Sequence, residues 1–274
     1  MNLAVKTRLV NLLWIGVFFL LLAAITLPLI LLSAEYHFKI SMPWQALITV
    51  VTTVLIQLMR KEPVHLVTGR INWRWLKLHM TGLLIGAALM LIPAFFLFAG
   101  GWVHWKSAPC ELSSILEVTL IYLSVAIAEE TLFRGFIFQR LLTSIGEWPG
   151  QILIGGYFLL IHLDNPGMTG ATKAFAGINI FFASLMFGLA VIRFKSLAVA
   201  IGIHLMANWV QGPLLGFSVS GKAGSSILIP VFSTGPVWLT GGNFGLEASL
   251  PGLTCVILFI IFLYRLKPSE KKLP

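Results

Sequence analysis

The segment SSILEVTLIYLSVAIAEETLFRGFIFQRL, residues Ser113–Leu141, decides the fold of this chain. It is long and apolar enough to cross the hydrocarbon core of a bilayer, which takes about 20 helical residues. Near its middle it nevertheless carries three ionisable residues, Glu129, Glu130 and Arg134. Ionisable side chains are costly inside a membrane, so their presence indicates a function. We therefore predict a membrane protein with a polar site among its helices.

The composition of the whole chain supports a membrane protein. Of the 274 residues, 58% are apolar and 11% are charged, whereas soluble domains carry roughly 25% charged residues. This excludes a soluble enzyme, because too few charges remain to solvate its surface. It also excludes a disordered chain, since such chains are poor in apolar residues. The two cysteines, Cys110 and Cys255, form neither a metal-binding motif nor a disulfide framework.

Eight apolar segments predict an all-α fold: a polytopic membrane helical bundle of about eight transmembrane helices, in a single domain over residues 1–274. The predicted spans are Leu9–Ser33, Pro43–Met59, Leu78–Phe98, Ser113–Leu141, Gln151–Leu163, Phe175–Phe194, Leu197–Gln211 and Leu250–Leu266. The first span is longer than the roughly 7–15 residues of a signal-peptide core, so we predict an uncleaved helix.

The distribution of lysine and arginine predicts the orientation of the bundle. With the N-terminus inside, the inner side holds Lys6, Arg8, Arg60, Lys61, Arg70, Arg74, Lys77, Arg140, Arg193, Lys195, Arg265, Lys267, Lys271 and Lys272, and the outer side holds Lys39, Lys106, Lys173 and Lys222. Cytoplasmic loops are enriched in these residues, so we predict that both termini are cytoplasmic. The net charge of +9 then reflects topology. The lipid bilayer is the expected partner, and no nucleic acid is expected.

Two connections between the predicted spans have an unusual composition. Residues Arg60–Lys77 combine basic residues with Trp73 and Trp75, which predicts a helix lying in the inner membrane interface. Residues Pro213–Ser249 are rich in Gly, Ser and Pro and carry only two charges. Irregular backbone at membrane depth must be satisfied by protein or by a watery cavity. We therefore predict a re-entrant or capping segment over the outer side.

The ionisable residues of the fourth predicted span differ in their helical positions. Glu130 and Arg134 are one turn apart, so we predict an ion pair that offsets most of the cost of burial. Glu129 is rotated by about 100° from Glu130 and has no partner within its helix. A buried, unpaired carboxylate is more basic than usual. Glu129 is therefore a candidate general base.

Two later spans add polar residues at the same helical spacing. Phe158 and His162 share one helix face, and His204 and Asn208 share another. Taken singly, each has a structural explanation, because membrane His and Asn side chains commonly bond to neighbouring helices. Together with Glu129 they predict a polar cluster inside the bundle. The His-Glu-x-x-His and Gly-x-Ser-x-Gly motifs are absent, and an intramembrane serine protease is disfavoured.

Three motifs in this order, Glu-Glu-x-x-x-Arg at 129–134, Phe-x-x-x-His at 158–162 and His-x-x-x-Asn at 204–208, resemble those of the CPBP family. This family comprises CAAX prenyl endopeptidases of the Rce type and bacteriocin-processing or immunity proteins. The motif-bearing core covers about residues 113–212, and residues 241–247 are similar to prokaryotic members. The resemblance implies a bundle of about eight helices, a site within the membrane, and a multi-pass protein of the cell membrane, here a prokaryotic plasma membrane.

The resemblance also implies a reaction, the hydrolysis of a peptide bond in a membrane-associated peptide or protein. Glu129 would activate the water, His162 would hold and polarise it, and His204 and Asn208 would donate hydrogen bonds to the oxyanion. The predicted orienting residues are Glu130, Arg134 and Phe158. We expect no cofactor and no metal. Glu129, His162 and His204 could instead bind zinc with an open fourth position, and that alternative stays open.

Two other functions are compatible with a polar site in a helical bundle. Members of the family also serve as non-proteolytic membrane scaffolds or as immunity and regulatory proteins with the same fold. A transporter with carboxylates that relay protons is the second alternative. It predicts structural repeats in both halves of the chain, whereas the polar residues here lie in the second half.

Overall fold

A computed structural model describes residues 3–266, with side chains from residue 5 onward, so the predicted inner residues Lys267, Lys271 and Lys272 lie outside the described range. The helices are α1 (Leu3–Glu35), α2 (Met42–Met59), α3 (His65–Thr68), α4 (Trp73–Ala99), α5 (Leu112–Glu130), α6 (Phe136–Ile145), α7 (Glu147–His162), α8 (Gly170–Phe194), α9 (Leu197–Trp209), α10 (Val237–Thr240) and α11 (Leu250–Arg265). The strands are β1 (Val103–Ser107) and β2 (Leu228–Phe232). π-Helical turns at Thr131–Gly135 and Val210–Leu214 follow α5 and α9.

The helices confirm a polytopic helical bundle. Six segments of the described chain are long and apolar enough to cross a membrane: Val5–Glu35, Met42–Met59, Trp73–Ala99, Leu112–Ile145, Gly170–Phe194 and Leu197–Leu214. The two other predicted spans correspond to α7 and α11, which have 16 residues each. The total of eight spans and the cytoplasmic termini stay predictions.

The predicted interfacial helix over Arg60–Lys77 is wrong. Only the single turn α3 is helical before α4 begins at Trp73. Gly69 ends α3 with a φ of 80°, which glycine adopts without steric cost. Asn72 then caps α4, its side-chain oxygen accepting a hydrogen bond from the backbone N–H of Trp75 at 3.1 Å. The two tryptophans therefore lie in the first turn of a long helix.

A two-stranded antiparallel sheet adds β structure to the predicted all-α fold. Its strands β1 and β2 pair with Val103 opposite Phe232 and Ser107 opposite Leu228. The indole N–H of Trp105 also donates to the carbonyl of Leu215 at 2.8 Å. The strands are far apart in sequence, so no hairpin signal marks their pairing. We call this end of the bundle the sheet end.

The opposite end of the bundle, the basic end, carries most of the lysine and arginine residues. Its described members are Lys6, Arg8, Arg60, Lys61, Arg70, Arg74, Lys77, Arg140, Arg193, Lys195 and Arg265. Hydrogen bonds join helices there: Arg140 Nη1 donates to Asn11 Oδ1 at 3.5 Å, and Arg193 Nε donates to the carbonyl of Leu263 at 3.1 Å. The charge asymmetry of the sequence is thus an asymmetry between two ends of one bundle.

Glycines bring α4 and α9 into backbone contact in the centre of the bundle. A Cβ atom on Gly82 or Gly86 would overlap the carbonyls of Val199 and Ile203, respectively, and one on Gly202 would overlap the carbonyl of His79. Small residues at such crossings let membrane helices pack closely. This contact fixes the position of α9, which carries two of the predicted site residues.

Replacing Gly86 by alanine should destabilise the bundle. The added methyl group has no room beside α9, and overpacking of this kind typically costs about 1–3 kcal/mol. The matched control is Gly16→Ala on α1, where an added Cβ meets nothing within 4 Å and where alanine favours the helix. Thermal unfolding in detergent should show a lower midpoint for Gly86→Ala alone. Equal midpoints would contradict this packing.

Candidate active site

The four predicted catalytic residues line a single cavity. Its volume is about 680 Å³, and Glu129, His162, His204 and Asn208 all contribute to its wall. They come from α5, α7 and α9, and α8 closes the wall between them. Tertiary packing thus brings together residues that are up to 79 positions apart in sequence.

A π-helical turn interrupts the predicted span Ser113–Leu141 directly after the two glutamates. Glu130 is the last residue of α5, and the π turn Thr131–Gly135 separates it from α6. Such turns are rare and occur frequently at functional sites. The predicted ion pair is nevertheless present: Arg134 Nη1 lies 3.3 Å from Glu130 Oε1, and both side chains are fully buried.

Arg134, in the π turn, is bonded to α8. Its Nη2 donates to Ser184 Oγ at 2.7 Å and to the Ser184 carbonyl at 3.3 Å. Its guanidinium carbon lies 4.6 Å from the ring centre of Phe158 and 5.0 Å from that of Phe187. Such cation–π contacts gain strength when the cation is desolvated. Arg134 therefore holds α5, α7 and α8 together below the site.

His204 lies between the two glutamates. Its Nδ1 is 2.8 Å from Glu130 Oε1, and its Nε2 is 3.9 Å from Glu129 Oε2. Because a carboxylate accepts, the short contact makes Nδ1 the donor. Phe187 stacks on the imidazole with ring centres 5.2 Å apart. The ring is thereby held with Nε2 directed toward Glu129.

The two ring nitrogens of His162 also have different hydrogen-bonding roles. Its Nδ1 donates to the carbonyl of Phe158 at 2.7 Å, so in the neutral ring Nε2 is the acceptor. Phe158 also packs on the imidazole, with ring centres 4.5 Å apart. The motif Phe-x-x-x-His thus connects His162 to Arg134, since one phenyl ring contacts both.

For the zinc alternative with Glu129, His162 and His204, the described residues contain no group of three or more His, Cys, Asp or Glu side chains with the arrangement of a metal site. The choice between a metal-free reaction and a zinc reaction stays a prediction.

Glu247 is a cavity residue that the sequence analysis did not select. Its carboxylate accepts hydrogen bonds from Ser220 Oγ at 2.7 Å and Gln211 Nε2 at 3.0 Å, and its backbone carbonyl accepts one from Asn179 Nδ2 at 2.6 Å. The preceding Gly245 has a φ of 109°, and a Cβ there would overlap the carbonyl of Ser218. The similarity of residues 241–247 to prokaryotic relatives was the available signal. The predicted capping segment therefore delivers a carboxylate to the site.

Glu247 should make the stability of the fold depend on pH. It lies outside the membrane-spanning helices, and burial raises its pKa above the ordinary 4.5, while Ser220, His162 and Gln211 oppose this only in part. A raised pKa in the folded state means that Glu247 favours folding below about pH 4.5 and that this contribution is lost as the pH rises through the raised pKa. The Glu247→Gln variant should therefore lose less stability than the parent chain between pH 4.5 and 7.5. Measuring the midpoint of thermal unfolding of both chains across this pH range tests the prediction. If the midpoints of the two chains change with pH by the same amount, the prediction is contradicted.

Comparison with known proteins gives a family model that matches part of the chain. Residues 111–210 match the Rce1-like family, described as type II CAAX prenyl endopeptidase Rce1-like. This match over part of the chain supports the similarity to the CPBP family. Neither curated proteins nor solved structures give a match.

The segment that matches the CPBP family contains the whole predicted site. It runs from the start of α5 to the end of α9 and includes Glu129, Glu130, Arg134, Phe158, His162, His204 and Asn208. The match supports a CAAX-protease-type protein, and the apolar helices support a multi-pass membrane protein. Glu247 lies outside the matched segment.

Proposed function

We propose that this CPBP protein is an intramembrane endopeptidase that hydrolyses a peptide bond of a membrane-associated peptide or protein with a water activated by Glu129. The observation that carries the proposal is the convergence of Glu129, His162, His204 and Asn208 on one cavity. Apolar residues such as Leu89, Met90 and Ile180 complete the wall of that cavity, and they suit an apolar substrate segment.

In the proposed reaction, Glu129 accepts a proton from water while the water oxygen bonds to the carbonyl carbon of the scissile peptide. Glu129 has no ion-pair partner on its own helix, and 24% of its side chain is accessible, so a water can reach it. His162 Nε2 accepts the second hydrogen bond of the water. The proton held by Glu129 then passes to the leaving amine as the C–N bond breaks. No covalent intermediate with the protein is needed.

His204 is suited to stabilise the negative charge that develops on the carbonyl oxygen. With His204 protonated, the two cations His204 and Arg134 balance the carboxylates Glu129 and Glu130, so the set of four is neutral. A neutral set is favoured at low dielectric, where an uncompensated charge is costly. Nε2–H of His204 and the amide of Asn208 can then both donate to the oxyanion. Such donors typically contribute about 3–4 kcal/mol each.

The proposal is tested with the purified chain in mild detergent and a mixed library of membrane-soluble peptides that includes farnesylated members. Products are read by mass spectrometry, with and without a strong chelator. We expect cleavage that the chelator does not affect. Cleavage abolished by the chelator and restored by zinc would contradict the metal-free reaction. Products confined to farnesylated peptides would assign a prenylated substrate.

A further inference from the structure

Two arginines from different helices meet at one aromatic ring at the basic end of the bundle. The guanidinium carbon of Arg60, directly after α2, lies 5.3 Å from the ring centre of Phe136, and that of Arg140, on α6, lies 5.8 Å from it. Phe18 stacks on the same ring, with ring centres 5.7 Å apart and an angle of 12° between the planes. Because Phe18 covers one face of the ring, the two guanidinium groups share the space around the rest of it.

These two positive charges have no close counter-ion among the described residues. Arg60 is the charge that acts most strongly on Arg140, and Glu62 acts on both arginines from further away. None of the ion pairs within 4.0 Å in the described chain includes Arg60, Glu62 or Arg140. Two cations that share a single carboxylate leave one positive charge over. The cluster can therefore hold one phosphate group with a single negative charge.

Most hydrogen-bond donors of the two guanidinium groups are unused. Arg60 Nη1 donates to Gln57 Oε1 at 3.3 Å, and Arg140 Nη1 donates to Asn11 Oδ1 at 3.5 Å. The Nε atom of Arg140 is buried and has no hydrogen-bond partner among the described residues. A guanidinium group carries five N–H donors in a planar fork that matches the oxygen atoms of a phosphate. The unused donors of both arginines are therefore suited to one phosphate group.

An apolar groove between α1, α6 and α7 adjoins the arginines, with a volume of about 380 Å³. On α6 it is lined by Ile137 and Leu141, which lie three residues before and one residue after Arg140. On α1 it is lined by Ile15, which is one helical turn from Asn11, the residue bonded to Arg140. Lining side chains on α1 and α7 are exposed on the surface of the bundle. The groove thus has room for an acyl chain beside the phosphate position.

The arginines also lie at the level of lipid headgroups. Arg60 directly follows the apolar span Met42–Met59, and Arg140 is near the end of the span Leu112–Ile145. The polar headgroup region of a bilayer borders the hydrocarbon core that such spans cross. Basic pockets between membrane helices bind the headgroups of anionic lipids. The position in the bundle therefore favours a lipid phosphate over a phosphate ion from solution.

We propose that Arg60 and Arg140 bind the phosphate of an anionic phospholipid, one acyl chain of which lies in the groove between α1, α6 and α7. The bound lipid stabilises the packing of α1, which is mostly exposed, against α2 and α6. The site is separate from the cavity of Glu129, because neither the arginines nor the groove residues line that cavity. The proposal goes beyond the proposed function and depends neither on hydrolysis nor on the orientation of the bundle.

Thermal unfolding of the purified chain in a neutral detergent tests the lipid site. The probes are dioleoylphosphatidylglycerol, which is anionic, and dioleoylphosphatidylcholine, which has the same chains and no net charge. A ligand that binds only the folded chain raises the midpoint of unfolding in proportion to its occupancy. We expect phosphatidylglycerol to act at a concentration about tenfold lower than phosphatidylcholine. Equal action of the two lipids would overturn the proposal.

The variants Arg60→Gln and Arg140→Gln test the two arginines, and Arg74→Gln is the matched control. Arg74 is exposed at the same end, and its replacement removes the same charge. The half-saturating concentration of phosphatidylglycerol should rise about tenfold in the first two variants, because a hydrogen bond between charged groups is lost. It should change less than about twofold in Arg74→Gln. An equal change in all three variants would show attraction by overall charge and would overturn the site.

Gel filtration and the midpoint without added lipid show whether each variant is folded. The two arginines lie on different helices, so either variant alone can decide the result if the other does not fold. Two further probes, inorganic phosphate and glycerophosphoglycerol, lack acyl chains. We expect neither to raise the midpoint at concentrations at which phosphatidylglycerol saturates. A rise with either probe that is lost in Arg60→Gln would show an anion site that needs no acyl chain, and would overturn the lipid.

Discussion

The Glu129→Gln variant should lose essentially all peptide cleavage while retaining the fold of the parent chain. Glutamine keeps the size of the side chain but cannot accept the proton of the attacking water. General-base catalysis typically contributes about 10²–10⁴-fold to the rate, so we expect a fall of this order in kcat/KM. Because 24% of the Glu129 side chain is accessible, the neutral amide should cause little strain. Rates on a peptide from the library measure the loss.

Glu117→Gln is the matched control for this variant. Glu117 lies on the same helix and lines the same cavity, but it is exposed. Its replacement should leave kcat/KM within about twofold of the parent value, because Glu117 lies twelve residues before Glu129 in the chain, about three helical turns away. Full activity of Glu129→Gln, or an equal loss in both variants, would contradict the role of Glu129.

The Arg134→Met variant should show the largest loss of stability. Methionine fills part of the volume but leaves the fully buried carboxylate of Glu130 without its cation. Breaking a buried ion pair by removing one partner typically costs about 3–5 kcal/mol. The hydrogen bond to Ser184 and the contacts with Phe158 and Phe187 are lost as well. We expect a much lower midpoint of thermal unfolding in detergent and a smaller monodisperse fraction on gel filtration.

The double variant Arg134→Met with Glu130→Gln distinguishes charge from packing. It removes the orphaned carboxylate, so a substantial part of the lost stability should return if the uncompensated charge is the main cause. Ser184→Ala removes a single hydrogen bond to a charged group and should cost less, about 1.5–3 kcal/mol. A double variant no more stable than Arg134→Met would show that the guanidinium acts through packing alone.

Several parts of the site could be predicted from local sequence. The i, i+4 spacing of Glu130 and Arg134 is sufficient to place two charges on one helix face, and the structure has that ion pair at 3.3 Å. The same spacing pairs Phe158 with His162 in direct ring contact. Helical periodicity is a property of the backbone, so it can be read without knowledge of the neighbours.

Other parts of the site depended on neighbours far away in the chain. His204 lies between Glu129 and Glu130, and Ser184 accepts from Arg134. Helix spacing does not specify which helices will be adjacent. Glu247 was missed for the same reason, because it enters the cavity from a loop whose path depends on packing against α8 and the π turn after α9.

The sequence by itself determined that the chain is a bundle of apolar helices with ionisable residues among them, because hydropathy, charge placement and helical spacing are local properties. Only the tertiary structure decided that Glu129, His162, His204 and Asn208 share one cavity and that a two-stranded sheet joins distant connections. These features follow from contacts such as the glycine crossing of α4 and α9. Such contacts require several helices to pack at once, and no single segment encodes them.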